Sequence, residues 1–169
     1  MNRFLIGMMV LCLMALASLA QAADIRVYFS PNGGTQEAIV AEINKAHESI
    51  DIAMFAMTSR AIAKALIEAK DRKVKIRIAL DPAQIKDKYS KSRYLTKKEI
   101  DVKYHLGPGL MHDKFAVIDD REVITGSYNW TETAEKKNTE NLLMITDRDI
   151  AKKYKKEFKH IWSQSGEGA

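Results

Sequence analysis

Four polar side chains lie at short, matched spacings in one part of the chain, and their types suit one kind of chemistry. His112 and Lys114 are two residues apart in a run that reads as a β-strand, and Ser127 and Asn129 are two apart beyond the next strand. Side chains two apart on a strand share a face, so an imidazole, an amine, a hydroxyl and an amide can gather at one end of a β-hairpin. Near neutral pH an imidazole can act as a nucleophile or a proton donor, and an amine with an amide can stabilise negative charge on phosphate oxygens. The set predicts the handling of a phosphate diester without a metal.

These residues belong to a longer pattern of fixed spacing. From residue 112 to residue 129 the chain reads His-x-Lys-x4-Asp-x6-Gly-Ser-x-Asn, which resembles the signature of the phospholipase D superfamily and fills each of its positions. Six specified residues at fixed spacing rarely coincide by chance. The resemblance implies that His112 is the catalytic nucleophile. It also implies that Lys114, Ser127 and Asn129 take part in catalysis and bind the substrate phosphate.

Two further motif residues are expected to be structural. Asp119 is out of step with His112 and Lys114 along the strand, so it should point away from them, and we predict a salt bridge or a turn contact for it. Gly126 ends the second strand of the hairpin and is assigned a structural role. For Ser127 the alternative of a turn-forming hydroxyl stays open.

The imidazole of His112 needs a partner for its other ring nitrogen. In the superfamily a Glu or Asp downstream of the Gly-Ser-x-Asn element orients the motif His, and the resemblance carries this role onto Glu140. Glu132 and Glu135 are alternatives. Glu140 can also be an ordinary solvated residue at a strand edge.

No metal and no other cofactor is expected at this site. His112 and Asp113 are adjacent and should point to opposite faces of the strand, and no second His stands at helical or hairpin spacing. The cation of Lys114 would repel a metal at the same place. The single cysteine, Cys12, lies in the N-terminal segment, which leaves no thiolate ligand in the rest of the chain. We therefore predict an activity that resists chelators.

Residues 1–22 read as a targeting segment. Arg3 supplies the positive start, residues 4–16 are apolar, and Ala20-Gln21-Ala22 is a small-x-small cleavage site. A transmembrane anchor is the alternative, but the apolar run is short for a span. We expect a cleaved, bacterial signal peptide at 1–22, a single domain at 23–169, and a periplasmic or secreted protein without stable membrane association.

Strand-like and helix-like patterns alternate along residues 23–169. The nearly all-apolar run at 50–57 is typical of a strand at the centre of a sheet that is covered on both faces. The patterns predict strands at 25–29, 50–57, 74–80, 102–106, 111–119, 122–125 and 141–145, and helices at 35–46, 59–70 and from 147 onward. This order predicts an α/β fold in which helices flank a mixed β-sheet, a phospholipase D-like domain with one motif per chain.

The chain is basic, with a net charge of +5 that falls to about +4 without Arg3 of the signal. One basic segment spans residues 81–100. The final helix carries lysines that we expect to lie away from its apolar stripe: Lys152, Lys153, Lys155, Lys156 and Lys159. A solvated surface explains both segments, and contact with a polyanionic backbone is the alternative.

The chain carries one copy of the motif, which bears on whether one chain can form a complete active site. Double displacement at phosphorus needs a nucleophile and a separate acid for the leaving oxygen, which one His cannot easily supply from both sides. Superfamily members with two motifs fold them into one site, so a single motif implies a homodimer with the active site at its interface. One His112 would attack the phosphorus while the His112 of the partner chain acts as general acid and base.

The resemblance extends to small bacterial, chelator-resistant endonucleases of the superfamily. We therefore predict a metal-independent endonuclease that cleaves DNA, with RNA left open, through a covalent phosphohistidine and with little base specificity. Two alternatives remain. One is a phospholipid hydrolase of the phospholipase D or cardiolipin type. The other, from a different class, is a non-catalytic nucleic-acid-binding protein, which gives no need for His112 or Glu140.

Overall fold

A mixed β-sheet runs through the protein, which a computed structural model describes over residues 23–168. The strands are β1 (Asp24–Ser30), β2 (Ser49–Met54), β3 (Lys75–Leu80), β4 (Asp101–His105), β5 (Lys114–Ile118), β6 (Glu122–Gly126), β7 (Glu140–Thr146) and β8 (Ser165–Gly166). The helices are α1 (Thr35–Lys45), α2 (Arg60–Asp71), α3 (Ala83–Lys86), α4 (Ser92–Lys97), α5 (Glu132–Lys136) and α6 (Arg148–Ser163). The predicted fold class, a mixed sheet flanked by helices, is confirmed. The predicted signal peptide lies outside the described residues.

The motif hairpin lies in the middle of the sheet, whose strand order is β1-β7-β6-β5-β2-β3-β4-β8. β2, β3 and β4 are parallel neighbours, whereas β5, β6, β7 and β1 follow as antiparallel neighbours on the other side of β2. Ala116 of β5 lies opposite Ile52 of β2 on one side and opposite Ile124 of β6 on the other. The motif strand is therefore held on both sides by paired strands.

Apolar side chains cover both faces of the sheet. One face carries a cluster that β2 and β3 share with α1 and α2, and it includes Ile39, Ile43, Ile50, Ile52, Ile62, Leu66 and Ile78. The opposite face carries a cluster that β5 shares with α6, and it includes Phe115, Val117, Phe158 and Ile161. Full burial of one such side chain contributes about 1.5–3 kcal/mol, so the two clusters stabilise the sheet from both sides.

The helix starts follow from capping residues. Ser59 caps α2 by accepting a hydrogen bond from the backbone N–H of Ile62 at 3.3 Å. Asp147 caps α6 in the same way, with the N–H groups of Asp149 and Ile150 each 2.8 Å from its carboxylate. Both caps confirm the predicted helix starts.

Among the helices within residues 23–168, none has the length and the apolar character that a membrane crossing requires.

The motif strand is shorter than predicted. It begins at Lys114 rather than at residue 111, so His112 precedes the strand instead of lying on it. The strand starts later because the backbone before Lys114 makes its hydrogen bonds with other segments of the chain. The N–H of Met111 donates to the carboxylate of Asp81 at 3.0 Å, and the carbonyl of Asp113 accepts from the N–H of Phe55 at 2.9 Å. These bonds anchor the His112 segment to the ends of β2 and β3.

Lys155 differs from the other lysines of α6, because the prediction that it faces solvent is wrong. Its side chain is 17% exposed, and its amine lies 2.8 Å from Asp51 and 2.6 Å from Asp120. Asp51 lies in β2 with its side chain 1% exposed, and it also accepts from Arg77 at 2.8 Å. A buried carboxylate requires such partners, so Lys155 is part of the attachment of α6 to the sheet.

Candidate active site

The motif residues meet at one edge of the sheet because of the strand directions. β5 starts at Lys114 and β6 ends at Gly126, and these strands are antiparallel neighbours with Phe115 opposite Thr125. β7 pairs with β6 and starts at Glu140, at the same edge. The sheet therefore places the start of the motif, its Gly-Ser-x-Asn end and the predicted orienting acid side by side.

His112 lies against Phe55 and Lys114. Its ring centroid is 4.6 Å from that of Phe55, with the two planes at 54° to each other. The amine of Lys114 donates to the backbone carbonyl of His112 at 2.8 Å and lies 3.2 Å from the Nδ1 atom of the same residue. His112 is exposed, whereas Lys114 is half-buried. An imidazole with an adjacent cation is thus held open to a large ligand.

The amine of Lys114 has a lower pKa in the protein than a lysine amine has in water. Burial lowers its pKa from the ordinary value, and the negative charges of Glu140 and Asp113 partly oppose this effect. The amine also lies 5.3 Å from the centroid of the Phe55 ring. A protonated Lys114 is therefore supported by nearby acids but poorly hydrated, as suits a group that must pair with an anionic ligand.

Glu140 bonds to Ser127 rather than to His112. The hydroxyl of Ser127 donates to one carboxylate oxygen of Glu140 at 2.6 Å, and the side-chain amide of Asn138 donates to the other at 3.0 Å. No hydrogen bond from a ring N–H of His112 to the carboxylate of Glu140 is present among the described residues, so the orienting role that the resemblance implies for Glu140 stays a prediction. Its charge still acts on the site through Lys114.

The two alternative acids are bound elsewhere. Glu135 is buried, where it accepts from the hydroxyl of Tyr128 at 2.8 Å and from the backbone N–H of Gln36 at 3.1 Å. Glu132 pairs with Lys136 on α5 at 2.9 Å. Of the three candidates, Glu140 is the one whose charge acts on the pKa of Lys114.

Asn129 and Gly126 shape the end of the motif. The Oδ1 atom of Asn129 is buried and has no hydrogen-bond partner among the described residues, and Asn129 borders a pocket of about 680 Å³. Gly126 has a φ of 151°, and a Cβ atom there would collide with the backbone carbonyl of Asn141. Only glycine lets the chain pass so close, and this approach allows the N–H of Ser127 to donate to that carbonyl at 3.1 Å.

Asp119 joins the hairpin turn to the strand beside it. Its carboxylate accepts from the backbone N–H groups of His47, Glu48 and Ser49 at 2.8–2.9 Å. Burial raises the pKa of Asp119, but these hydrogen bonds outweigh burial, so its pKa is lower than that of an ordinary Asp. The residue therefore contacts the start of β2, at the opposite end of β5 from His112.

Some features of the site carry no signal in the sequence. The contact of His112 with Phe55 and the bond from Asn138 to Glu140 join residues whose spacing predicts nothing. Between residues 23 and 168, no group of three or more His, Cys, Asp or Glu residues is arranged to hold a metal ion. The groups near this edge that have protons left to donate are the His112 imidazole, the Lys114 amine and the Asn129 amide, which suit a phosphate group, whereas the Ser127 hydroxyl donates to Glu140.

Comparison with known sequences agrees with this chemistry. The sequence model of the family described as "Cardiolipin synthase, PLD-like domain" matches residues 39–162. A phospholipase D of Rickettsia prowazekii is 42% identical over 132 residues, which are 78% of this chain and 64% of that protein. The human mitochondrial cardiolipin hydrolase is 36% identical over 119 residues, which are 70% of this chain and 47% of that protein. The chain thus spans less than two thirds of the length of these relatives.

Solved structures share the fold over nearly their whole length. Nuc from Salmonella typhimurium, described as a phospholipase D family member, superposes with a TM-score of 0.81 at 28% identity, covering 85% of this chain and 97% of Nuc. NucT from Helicobacter pylori gives a TM-score of 0.78 at 27% identity, covering 85% of this chain and 98% of NucT. The family match, the relatives and the fold agree, and the chain belongs to the phospholipase D superfamily.

Proposed function

We propose that this protein is a metal-independent phosphodiester hydrolase and that its substrate is DNA, with RNA left open, cleaved with little base specificity. The observation that carries the proposal is the open imidazole of His112 with the Lys114 amine 3.2 Å from its Nδ1 atom. Membership of the phospholipase D superfamily supports it, as do relatives named for the hydrolysis of phosphodiesters in lipids. The exposed lysines of α6 and of the segment from residue 86 to 98 suit a polyanionic substrate.

The reaction runs in two displacements. One ring nitrogen of His112 attacks the phosphorus, forming a P–N bond as the P–O bond to the leaving alcohol breaks, and a second imidazole gives that oxygen its proton. This imidazole then takes a proton from water, whose oxygen attacks the phosphorus and breaks the P–N bond. Lys114 and Asn129 hold the non-bridging oxygens through both steps. No metal is needed because Lys114 supplies the positive charge.

We propose that the second imidazole is the His112 of another copy of this chain. The region around the motif has the exposure that such a contact needs. His112 and Ser127 are exposed, and the loop between β4 and β5 presents Leu106 and Leu110, which are 70% and 68% exposed. Two exposed leucines in the loop that leads to His112 suit the core of a symmetric interface.

The dimer can be tested in solution. Sedimentation at assay concentration should give a dimer, and Leu110→Glu should shift it to a monomer and abolish most of the hydrolysis. Leu110 lies in a loop, so the variant should keep the melting temperature of the monomeric unit. A fully active monomer would contradict the dimeric site.

A phospholipid diester is the second candidate substrate. It is favoured by the printed names of the relatives at 36–42% identity, phospholipase D and mitochondrial cardiolipin hydrolase. The same two displacements apply to either diester, so the site does not separate the substrates.

Parallel assays with each substrate distinguish DNA hydrolysis from phospholipid hydrolysis. Purified chain from residue 23 onward is incubated with excess chelator and with plasmid DNA, single-stranded RNA or cardiolipin vesicles, beside a His112→Ala variant. The proposal expects rapid, His112-dependent loss of intact DNA and little release of phosphatidic acid. Hydrolysis of cardiolipin alone would make the lipid the substrate. DNA binding without hydrolysis in either protein would indicate the non-catalytic alternative.

A further inference from the structure

A pocket adjoins the motif on the side of Asn129. Its volume is about 680 Å³, and it lies between the segment after β2, the loop from α3 to α4, and the segment after β6. The lining residues that matter here are Arg60, Tyr89, Lys91 and Asn129. We call this space the Tyr89 pocket. Because Asn129 belongs both to the pocket and to the motif, a polymer held at His112 has the pocket as its next contact.

Backbone hydrogen bonds fix the walls of the Tyr89 pocket. The N–H of Lys91 donates to the carbonyl of Met57 at 2.9 Å, which ties the α3–α4 loop to the segment after β2. The N–H groups of Thr58 and Ser59 both donate to the carbonyl of Trp130, at 2.9 and 3.0 Å, which ties that segment to the one after β6. The pocket is therefore a preformed feature rather than a gap between loose loops.

The charges in the Tyr89 pocket are not balanced once internal pairs are considered. Of its two acids, Glu132 is neutralised by an ion pair with Lys136 at 2.9 Å, whereas Asp87 accepts from the backbone N–H of Tyr89 at 2.9 Å and keeps its negative charge. Among the described residues, no carboxylate lies within ion-pair distance of Arg60 or Lys91. Two cations without an ion pair therefore line the pocket against one such carboxylate, so the pocket has a net positive charge that can attract an anionic ligand.

Tyr89 supplies an aromatic surface that the fold does not use. Its side chain is 65% exposed, although a tyrosine ring in water forgoes the burial that usually stabilises it. The amine of Lys88 lies over one face of the ring, 4.9 Å from its centroid, and the other face is the one that a flat partner can stack on. An exposed aromatic ring beside cations is the combination that binds single-stranded nucleic acid, because every base can stack and every phosphate can pair.

We infer that the Tyr89 pocket holds the base of a nucleotide that adjoins the scissile phosphate, with Tyr89 stacked on the base and with Arg60 and Lys91 on neighbouring phosphates. The inference rests on the proposed nuclease function and adds a subsite to it. A base within a duplex is already stacked on both sides, so the pocket favours single-stranded substrate. Stacking tolerates any base, which fits cleavage with little base specificity. An acyl chain suits the pocket less well, because it would desolvate Arg60 and Lys91 without pairing them.

The first test compares three variants on a single-stranded DNA oligonucleotide of mixed sequence. Tyr89→Ala should raise KM by about 5- to 150-fold, the range for loss of one stacked base, and leave kcat nearly unchanged. Tyr89→Phe should behave like the unmodified protein. Tyr94→Ala is the matched control, since Tyr94 is 49% exposed on α4 and lies outside the pocket. A KM for Tyr89→Ala within twofold of the unmodified value would overturn the subsite.

The second test locates the base. One abasic residue is moved along the oligonucleotide, and cleavage is measured with the unmodified protein and with Tyr89→Ala. The unmodified protein should lose efficiency at one position beside the cut, whereas Tyr89→Ala should be insensitive there, because both changes remove the same contact. Additive losses would overturn the subsite and leave the nuclease intact. If the unmodified protein cleaves no oligonucleotide, the proposed nuclease function fails first and the subsite fails with it.

Discussion

The amine of Lys114 lies 3.2 Å from Nδ1 of His112 and 2.8 Å from the backbone carbonyl of the same residue. The carbonyl contact fixes the amine in place, so the cation stands beside the imidazole before any substrate arrives. A preorganised cation at the point where negative charge develops stabilises a transition state more than water does. We therefore expect Lys114 to act on the chemical step.

Replacement of Lys114 tests this expectation. Lys114→Met should lower kcat/KM for plasmid hydrolysis by about 10²- to 10³-fold, the usual effect of losing one preorganised donor. Lys98→Met is the control, because Lys98 is an exposed lysine beyond α4 with no ion pair among the described residues. Both variants should keep the melting temperature of the unmodified protein within a few degrees. More than half of the activity retained in Lys114→Met would mean that its charge does not act on the transition state.

The pH profile should reflect the lowered pKa of Lys114. Burial is the cause, and the charges of Glu140 and Asp113 oppose it. The protonated amine is the active form, so activity is present below this pKa and is lost as pH rises through it. The alkaline limb of kcat/KM should thus lie below 10.5, the ordinary lysine value.

Neutralising Glu140 should move the alkaline limb of the kcat/KM pH profile. Glu140→Gln removes one of the charges that support the protonated amine, so the limb should shift to still lower pH. Glu132→Gln is the matched control, because that carboxylate pairs with Lys136 on α5, and it should leave the limb in place. A limb that stays fixed or moves upward in Glu140→Gln would show that Glu140 does not act on Lys114.

Stability should depend on pH through Glu122. Burial and the nearby Glu42 raise the pKa of Glu122 from 4.5 to about 7, although Arg26 bonds to it at 2.6 Å. A carboxyl whose folded-state pKa is raised stabilises the fold below its unfolded pKa, and this contribution is lost as pH rises through the folded pKa. The unmodified protein should therefore lose stability between about pH 4.5 and 7 relative to Glu122→Gln. If the free energy of unfolding changed with pH in the same way for both proteins across this window, the raised pKa of Glu122 would be contradicted.

Asp119 should matter for stability. Asp119→Ala removes the acceptor of three backbone N–H groups, and we expect a loss of about 2–3 kcal/mol in the free energy of unfolding. Asp101→Ala is the control, since Asp101 is an exposed residue of β4 and should change stability by less than about 0.5 kcal/mol. Urea unfolding of both variants measures the difference. Equal stability of Asp119→Ala and the unmodified protein would show that the turn holds without this carboxylate.

Sequence patterns could predict the elements whose ends depend on interactions between residues close together in the chain. Ser59 and Asp147 are caps followed by apolar residues at helical spacing, so the starts of α2 and α6 could be predicted. The start of β5 could not, because it depends on bonds from Met111 and Asp113 to distant segments.

The candidate site shows the same division. Lys114 starts β5 and Ser127 directly follows β6, and because these strands are antiparallel neighbours the hairpin pattern is enough to place both residues at one edge of the sheet. The partner of Glu140 depends on which donors of the folded protein lie nearest, and these are Ser127 and Asn138 rather than His112. Tyr89 lies in a loop whose sequence has no periodicity, and the other walls of the Tyr89 pocket come from distant segments, so nothing in the sequence marks the pocket as a site.

Hydrolysis of plasmid DNA in excess chelator, by the unmodified protein and by His112→Ala side by side, decides whether His112 is the nucleophile of a metal-independent nuclease. We expect rapid conversion of supercoiled plasmid to nicked and linear forms by the unmodified protein, and no conversion above background by the equally stable variant. Cleavage by both proteins at similar rates would contradict it, because His112 would then not be the nucleophile.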